Sequence, residues 1–157
     1  MNRADPTVVI VPGLRDHVAD HWQTHLGAAL DNSVTVAPLE RDKLSRRARV
    51  AALDEVLQRV HGPVVLVAHS AGVITTVHWA QHPTREIAGA LLVTPADLEL
   101  PLPAGYPSTE ELDCGGWNPI RIRTLGPRAA AHVRTPRERL RAEVGVITHR
   151  LRPAAPR

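Results

Sequence analysis

Short unbroken apolar runs alternate along this chain with longer stretches in which apolar residues recur every three or four positions. Thr7-Val8-Val9-Ile10-Val11, stopped by Pro12-Gly13, reads as a buried strand followed by a turn. His21 to Leu30 has helical spacing, with Trp22, His25, Leu26, Ala29 and Leu30 giving a broad apolar face, and Asp31-Asn32-Ser33 breaks it. Val34-Thr35-Val36 predicts a second strand, ended at Pro38. Over residues 44–60, Val50, Leu53, Val56, Leu57 and Val60 form the apolar side of an amphipathic helix. Arg46, Arg47, Arg49, Asp54, Glu55 and Arg59 lie between them and read as a solvated face of mixed charge. After Gly62-Pro63 comes the strongest strand, Val64-Val65-Leu66-Val67-Ala68. Ala71 to Gln81 is helical until Pro83, and Ile87 to Val93 is a fourth strand.

This alternation predicts an α/β fold, a parallel sheet with helices on both faces. Beyond Thr94 the pattern changes. Residues 98–119 are rich in Pro and Gly and read as a long loop or small excursion. Residues 120–157 are rich in Arg, Ala and Pro, with Val144-Gly145-Val146-Ile147 as their one candidate strand. The chain therefore divides into a core, residues 1–120, and an atypical tail, residues 121–157, either disordered or frame-shifted.

Charge sharpens the same division. Residues 1–120 carry 9 Lys+Arg against 14 Asp+Glu, whereas residues 121–157 carry 10 Arg against 2 Glu. The sequence pI near 10.0 thus belongs to the tail. Its arginines are able to neutralise phosphates, but no aromatic platform or base-reading module accompanies them, so nucleic acid is not an expected partner. With 157 residues the chain suggests one domain able to bury a core. The single Cys114 cannot form an internal disulfide. No apolar run approaches the roughly 18 residues of a membrane span, and Met1-Asn2-Arg3-Ala4-Asp5-Pro6 lacks the apolar stretch of a leader. A cytoplasmic protein without a membrane partner is expected.

Candidate chemistry centres on Ala68-His69-Ser70-Ala71-Gly72. A serine between a strand and a helix, with small residues two positions to either side, is the nucleophile-elbow arrangement. There the tight turn projects Oγ from the top of the sheet, and larger neighbours would collide with the opposing backbone. Ala68 stands where the motif has its first Gly, and Gly72 keeps the second. The competing reading makes Ser70 a helix N-cap. An acyl-transfer site also needs two convergent N–H donors for the oxyanion. The backbone of Ala71 supplies one candidate and that of Leu14, in Pro12-Gly13-Leu14-Arg15, the other.

The stretch Val8-Val9-Ile10-Val11-Pro12-Gly13-Leu14-Arg15-Asp16-His17 with His21-Trp22-Gln23 resembles the small serine hydrolases named after retinoblastoma-binding protein nine. So do Ala68-His69-Ser70-Ala71-Gly72, Ala88-Gly89-Ala90-Leu91-Leu92-Val93 and Gly116-Trp117-Asn118-Pro119-Ile120. The resemblance covers residues 7–120. It implies an α/β-hydrolase domain with a Ser–Asp–His triad, Ser70 as nucleophile, no metal or cofactor, and small esters as substrates.

After Ile120 the resemblance stops, and the strand–helix layers that should carry the acid and base are missing or replaced. No Asp follows Asp113, and the later histidines are His132 and His149. His149, after the apolar run 144–147, is the candidate base, although chance placement explains it equally well. Asp97, after the fourth strand, reads as structural or pocket-lining. His17, His21 and His25 stand at steps of four, but a helix starting after His17 would not align them for a metal. Activity and lineage thus separate, and a non-catalytic binding relative is the alternative to a working esterase. A tail of this composition is what a shifted frame in GC-rich DNA gives. Translating the neighbouring frames beyond codon 120 should therefore reveal an Asp loop and a Gly-His loop, and their absence favours a genuine divergent tail.

Overall fold

The structure, a computed structural model, describes residues 5–117. His149 and His132, with the tail that carries them, lie outside the described residues. Four strands form one parallel sheet in the order β2-β1-β3-β4: β1 (Thr7–Val11), β2 (Ser33–Thr35), β3 (Val64–Ser70) and β4 (Gly89–Pro95). The helices are α1 (Trp22–Ala29), α2 (Arg46–Arg59), α3 (Ala71–Trp79) and α4 (Thr109–Cys114). The chain leaves β1 outward to β2, then returns across it to β3. That reversal opens a crevice at the carboxyl ends of β1 and β3, where open α/β sheets bind ligands.

Alternation along the strands sorts the packing. Val9 and Val11 of β1, with Val64, Leu66 and Ala68 of β3, pack with Leu53 and Leu57 of α2 and with Val73 and Trp79 of α3. Ile10 points to the other face, where its Cδ1 lies 3.1 Å from where a Cβ on Gly27 of α1 would stand. Helices therefore cover both faces, as the alternation predicts. Burial on two sides explains why β1 and β3 read as unbroken apolar runs.

Three features depart from the sequence reading. First, α1 buries Gln23, while Ala29 and His25 are exposed. The Gln23 amide donates to Val11 O at 3.2 Å and Val67 O at 3.1 Å, bridging the end of β1 and the middle of β3. A buried polar side chain is tolerated there because its donors are satisfied. Second, Arg49 is buried on α2 and does not belong to the solvated face. Third, residues 98–117 contain α4, whose Ser108–Glu111 capping box is a readable N-terminal signal within a Pro- and Gly-rich stretch. Leu112 of α4 and Trp117 pack against Ile74 of α3, and Trp117 Nε1 donates to Leu44 O at 2.6 Å. The excursion is thus seated on the body of the domain.

Among the described residues, no helix is long and apolar enough to cross a membrane.

Asp54 links α2 to α3 and to the turn beyond it. Trp79 Nε1 and Thr84 Oγ1 both donate to Asp54 Oδ1, the former at 2.8 Å, and Gln58 donates to Oδ2 at 2.6 Å. Burial acts to raise the pKa of this carboxyl, but the hydrogen bonds from Thr84, Trp79 and Gln58 outweigh it and hold the value below normal. A depressed folded pKa stabilises the fold above the unfolded pKa, and that contribution is lost as pH falls through the folded value. Asp54→Ala, which leaves the Trp79 donor unpaired, should cost about 1–3 kcal/mol in urea denaturation at pH 7. The difference between wild type and Asp54→Asn should shrink on acidification below about pH 4.

Candidate active site

Ser70 ends β3 with φ 52° and ψ −119°, a conformation outside the ordinary basins for an L-residue. Such strain costs on the order of 1–3 kcal/mol and persists only where surrounding structure enforces it. Here α3 starts at the very next residue, Ala71, so the chain must reverse within one residue. The Ser70 side chain makes no capping bond to α3, which removes the N-cap reading. Its carbonyl accepts from Ala96 N–H at 3.5 Å, and the β3–β4 register shifts at His69/Ser70, so the end of β4 braces the turn.

The reversal works because α3 begins in contact with the end of β1. A Cβ on Gly72 would stand 2.2 Å from Val11 O and 2.7 Å from Pro12 O, so glycine is required two residues after the serine. Ala68, on the other side, is fully buried, which accounts for a small residue there. The same close approach carries the turn after β1 up to the serine. The position of a Cβ on Gly13 lies 3.4 Å from Ser70 Cβ and 3.6 Å from His69 Nδ1. Ala71 thus adjoins Ser70 by sequence, and Gly13, the residue before Leu14, adjoins it through the fold. Neither the Ala71 nor the Leu14 backbone N–H donates to another described residue.

The turn itself is clamped. Arg49 reaches from α2 to donate through Nη2 to Pro12 O at 3.1 Å and Gly13 O at 3.0 Å, and through Nη1 to Lys43 O at 3.3 Å. Asp16, at φ 53°, donates its N–H to Gly13 O, and its carboxylate pairs with Lys43 at 3.2 Å. Arg15 lies over the ring of Tyr106 in the excursion, 5.4 Å from its centre.

Three rings form the other wall. His69 lies 4.7 Å from His21 and 6.0 Å from Trp22, centre to centre, the latter edge-on. Burial, and secondarily the nearby His21, push the His69 pKa below the usual histidine value, which favours the neutral ring. The fold brings His21 and Trp22 against His69, the residue that precedes the serine. His21 also caps α1 by accepting from Gln23 N–H, while His25 faces solvent with Asp20 and His17 lies before the helix. Asp97 accepts from Glu99 and Leu100 N–H and closes the turn after β4, a structural use.

A recess of about 230 Å³ beside His21 is lined by Pro12, Asp16, His17, Gln23 and Thr24 among others. A larger open depression, about 660 Å³, sits at the amino ends of β3 and β4 among residues 57–63 and 84–88, at the far end of the strands from Ser70. The chemistry and the topological crevice coincide at the opposite end, which makes the Ser70 end the candidate site.

A serine hydrolase family model matches residues 8–145. The chain belongs to the serine hydrolase family. The match runs past Ile120 into the tail, so this serine hydrolase resembles its family beyond the last motif recognisable by eye. No curated protein matches it. Among solved structures it is similar to a YdeN-like hydrolase from Pectobacterium atrosepticum, with 33% identity and a TM-score of 0.53. That similarity covers 59% of this chain, which spans half the length (50%) of the Pectobacterium protein.

Gly72→Ala tests the packing at this end of the serine hydrolase. Backbone faces the added methyl, so neighbouring side chains cannot relieve the overlap, and a loss of about 1–3 kcal/mol or more is expected in chemical denaturation. Gly89→Ala, where a Cβ meets nothing within 4 Å, should be close to neutral in the same measurement.

Proposed function

We propose that this protein hydrolyses small carboxylic esters through an acyl-enzyme at Ser70. Ser70 Oγ attacks the ester carbonyl and loses its proton to a histidine. The backbone N–H groups of Leu14 and Ala71 receive the negative charge on the tetrahedral oxygen. Collapse expels the alcohol with the transferred proton, and water then attacks the acyl-serine to release the acid. His149 is the candidate base. The observation that carries this reading is the strained backbone at Ser70, whose hydroxyl makes no capping bond and which stands between the first residue of α3 and the packed Gly13 turn. Membership of the serine hydrolase family and the likeness to the Pectobacterium hydrolase support it.

A second reading is a binding protein that retains the pocket without turnover. Its support is specific: among the described residues, no histidine hydrogen-bonds Ser70, and the nearby His69 and His21 rings pack on each other.

A fluorophosphonate probe with mass spectrometry separates the elements of this scheme. Labelling should fall on Ser70 and vanish in Ser70→Ala; an adduct that survives the substitution refutes the nucleophile. On short-chain p-nitrophenyl esters, His149→Ala should reduce kcat by about 10⁴-fold or more if it is the base, because triad members act as a unit. Labelling without wild-type turnover supports the binding reading.

A further inference from the structure

We infer that Arg49 is a positioning residue for the oxyanion site, acting through the Gly13–Leu14 peptide; this rests on the role proposed above for the Leu14 N–H. A guanidinium is costly to bury, yet Arg49 is 7% exposed, on a helix whose other arginines are more accessible. Its contacts explain the placement. Nη2 donates to the carbonyls of Pro12 and Gly13, two successive peptides of the turn that touches Ser70. Nη1 donates to Lys43 O, and Lys43 in turn pairs with Asp16, whose N–H donates to the same Gly13 carbonyl. The ring of contacts closes on the Gly13 oxygen.

The consequence follows from peptide geometry. In a planar trans peptide the C=O and the next N–H point in opposite directions. Described peptides here are all trans. Holding the Gly13 carbonyl toward the Arg49 guanidinium, with the Asp16 N–H as a second donor from the turn itself, therefore aims the Leu14 N–H away from Arg49. The hydrogen bonds are charge-assisted, which strengthens the clamp. Burial lowers the guanidinium pKa and Asp16 opposes that, while an arginine stays charged in either case. Lys at this position has a single ammonium and no planar fork, so it cannot reproduce the contacts to Pro12, Gly13 and Lys43 together.

The test uses the ¹⁵N-labelled full chain and its Arg49→Lys and Arg49→Gln variants. Backbone relaxation at Gly13, Leu14 and Asp16 should show the turn loosened in both, with the β1 and β3 amides unchanged. Ser70 phosphonylation and ester kcat should fall by about 10²-fold, the size expected for a misplaced catalytic group, while KM holds. A general loss of structure would instead disturb the strand amides and KM together, and that outcome overturns a positioning role. A turn as ordered as wild type, or Ser70 reactivity unchanged in Arg49→Lys, also overturns it while leaving the nucleophile intact. A wild-type Ser70 that does not react brings down the oxyanion reading, and this inference with it; the relaxation data distinguish the two failures, because they read the clamp without any chemistry.

Discussion

The contact between the first turn of α3 and the last peptides of β1 organises this end of the molecule. It is possible only because residue 72 has no side chain: a methyl there would lie 2.2 Å from Val11 O. Bringing a helix that close to a neighbouring strand compels β3 to reverse at once, and Ser70 takes up the positive φ that the reversal needs. Backbone strain at Ser70 and close packing at Gly72 are thus one constraint seen at two residues. The cost falls on the serine, and the buried Val9, Leu66, Ala68 and Val73 around it hold the strained geometry in place.

Proximity then propagates outward. Gly13 rests on Ser70 because Pro12 and Val11 have already been drawn to α3, and Arg49 and Asp16 set the orientation of the peptide that follows. Gln23 ties the β1 and β3 carbonyls on the opposite face, so the two strands that flank the crevice are secured from both sides. His21 and Trp22, at the start of the same helix, meet His69 and wall the site. The turn after β1, the reversal at Ser70 and the aromatic wall therefore depend on the same pair of central strands. That arrangement suits a family whose chemistry requires preorganised donors, because little of it has to move during reaction.

Much of this was legible because its causes are local. Each strand and the three larger helices show in apolar spacing, and the boundaries agree to within a few residues because Pro, Gly and Asn interrupt the runs where the elements end. The reversal at Ser70 was legible as well: strand, small residue, serine, small residue and helix are contiguous, so the tight turn is written within ten positions. The capping box at Ser108 and Glu111 was equally local, but surrounding prolines and glycines obscured α4.

What sequence could not supply was the identity of partners distant along the chain. Arg49 has the same composition-level signature as its more accessible neighbours Arg46 and Arg47, and only the docking of α2 beside the β1 turn decides that its guanidinium meets Pro12 and Gly13. Gln23 looks like a polar residue on a helix surface until carbonyls of two adjacent strands meet its amide. His21 became part of the site because α1 crosses the sheet where β3 ends. Periodicity and turn chemistry act between neighbours and determined the elements, the α/β class and the serine. Hydrogen-bond satisfaction and steric fit act between residues tens of positions apart, and the tertiary structure alone decided which side chains surround that serine.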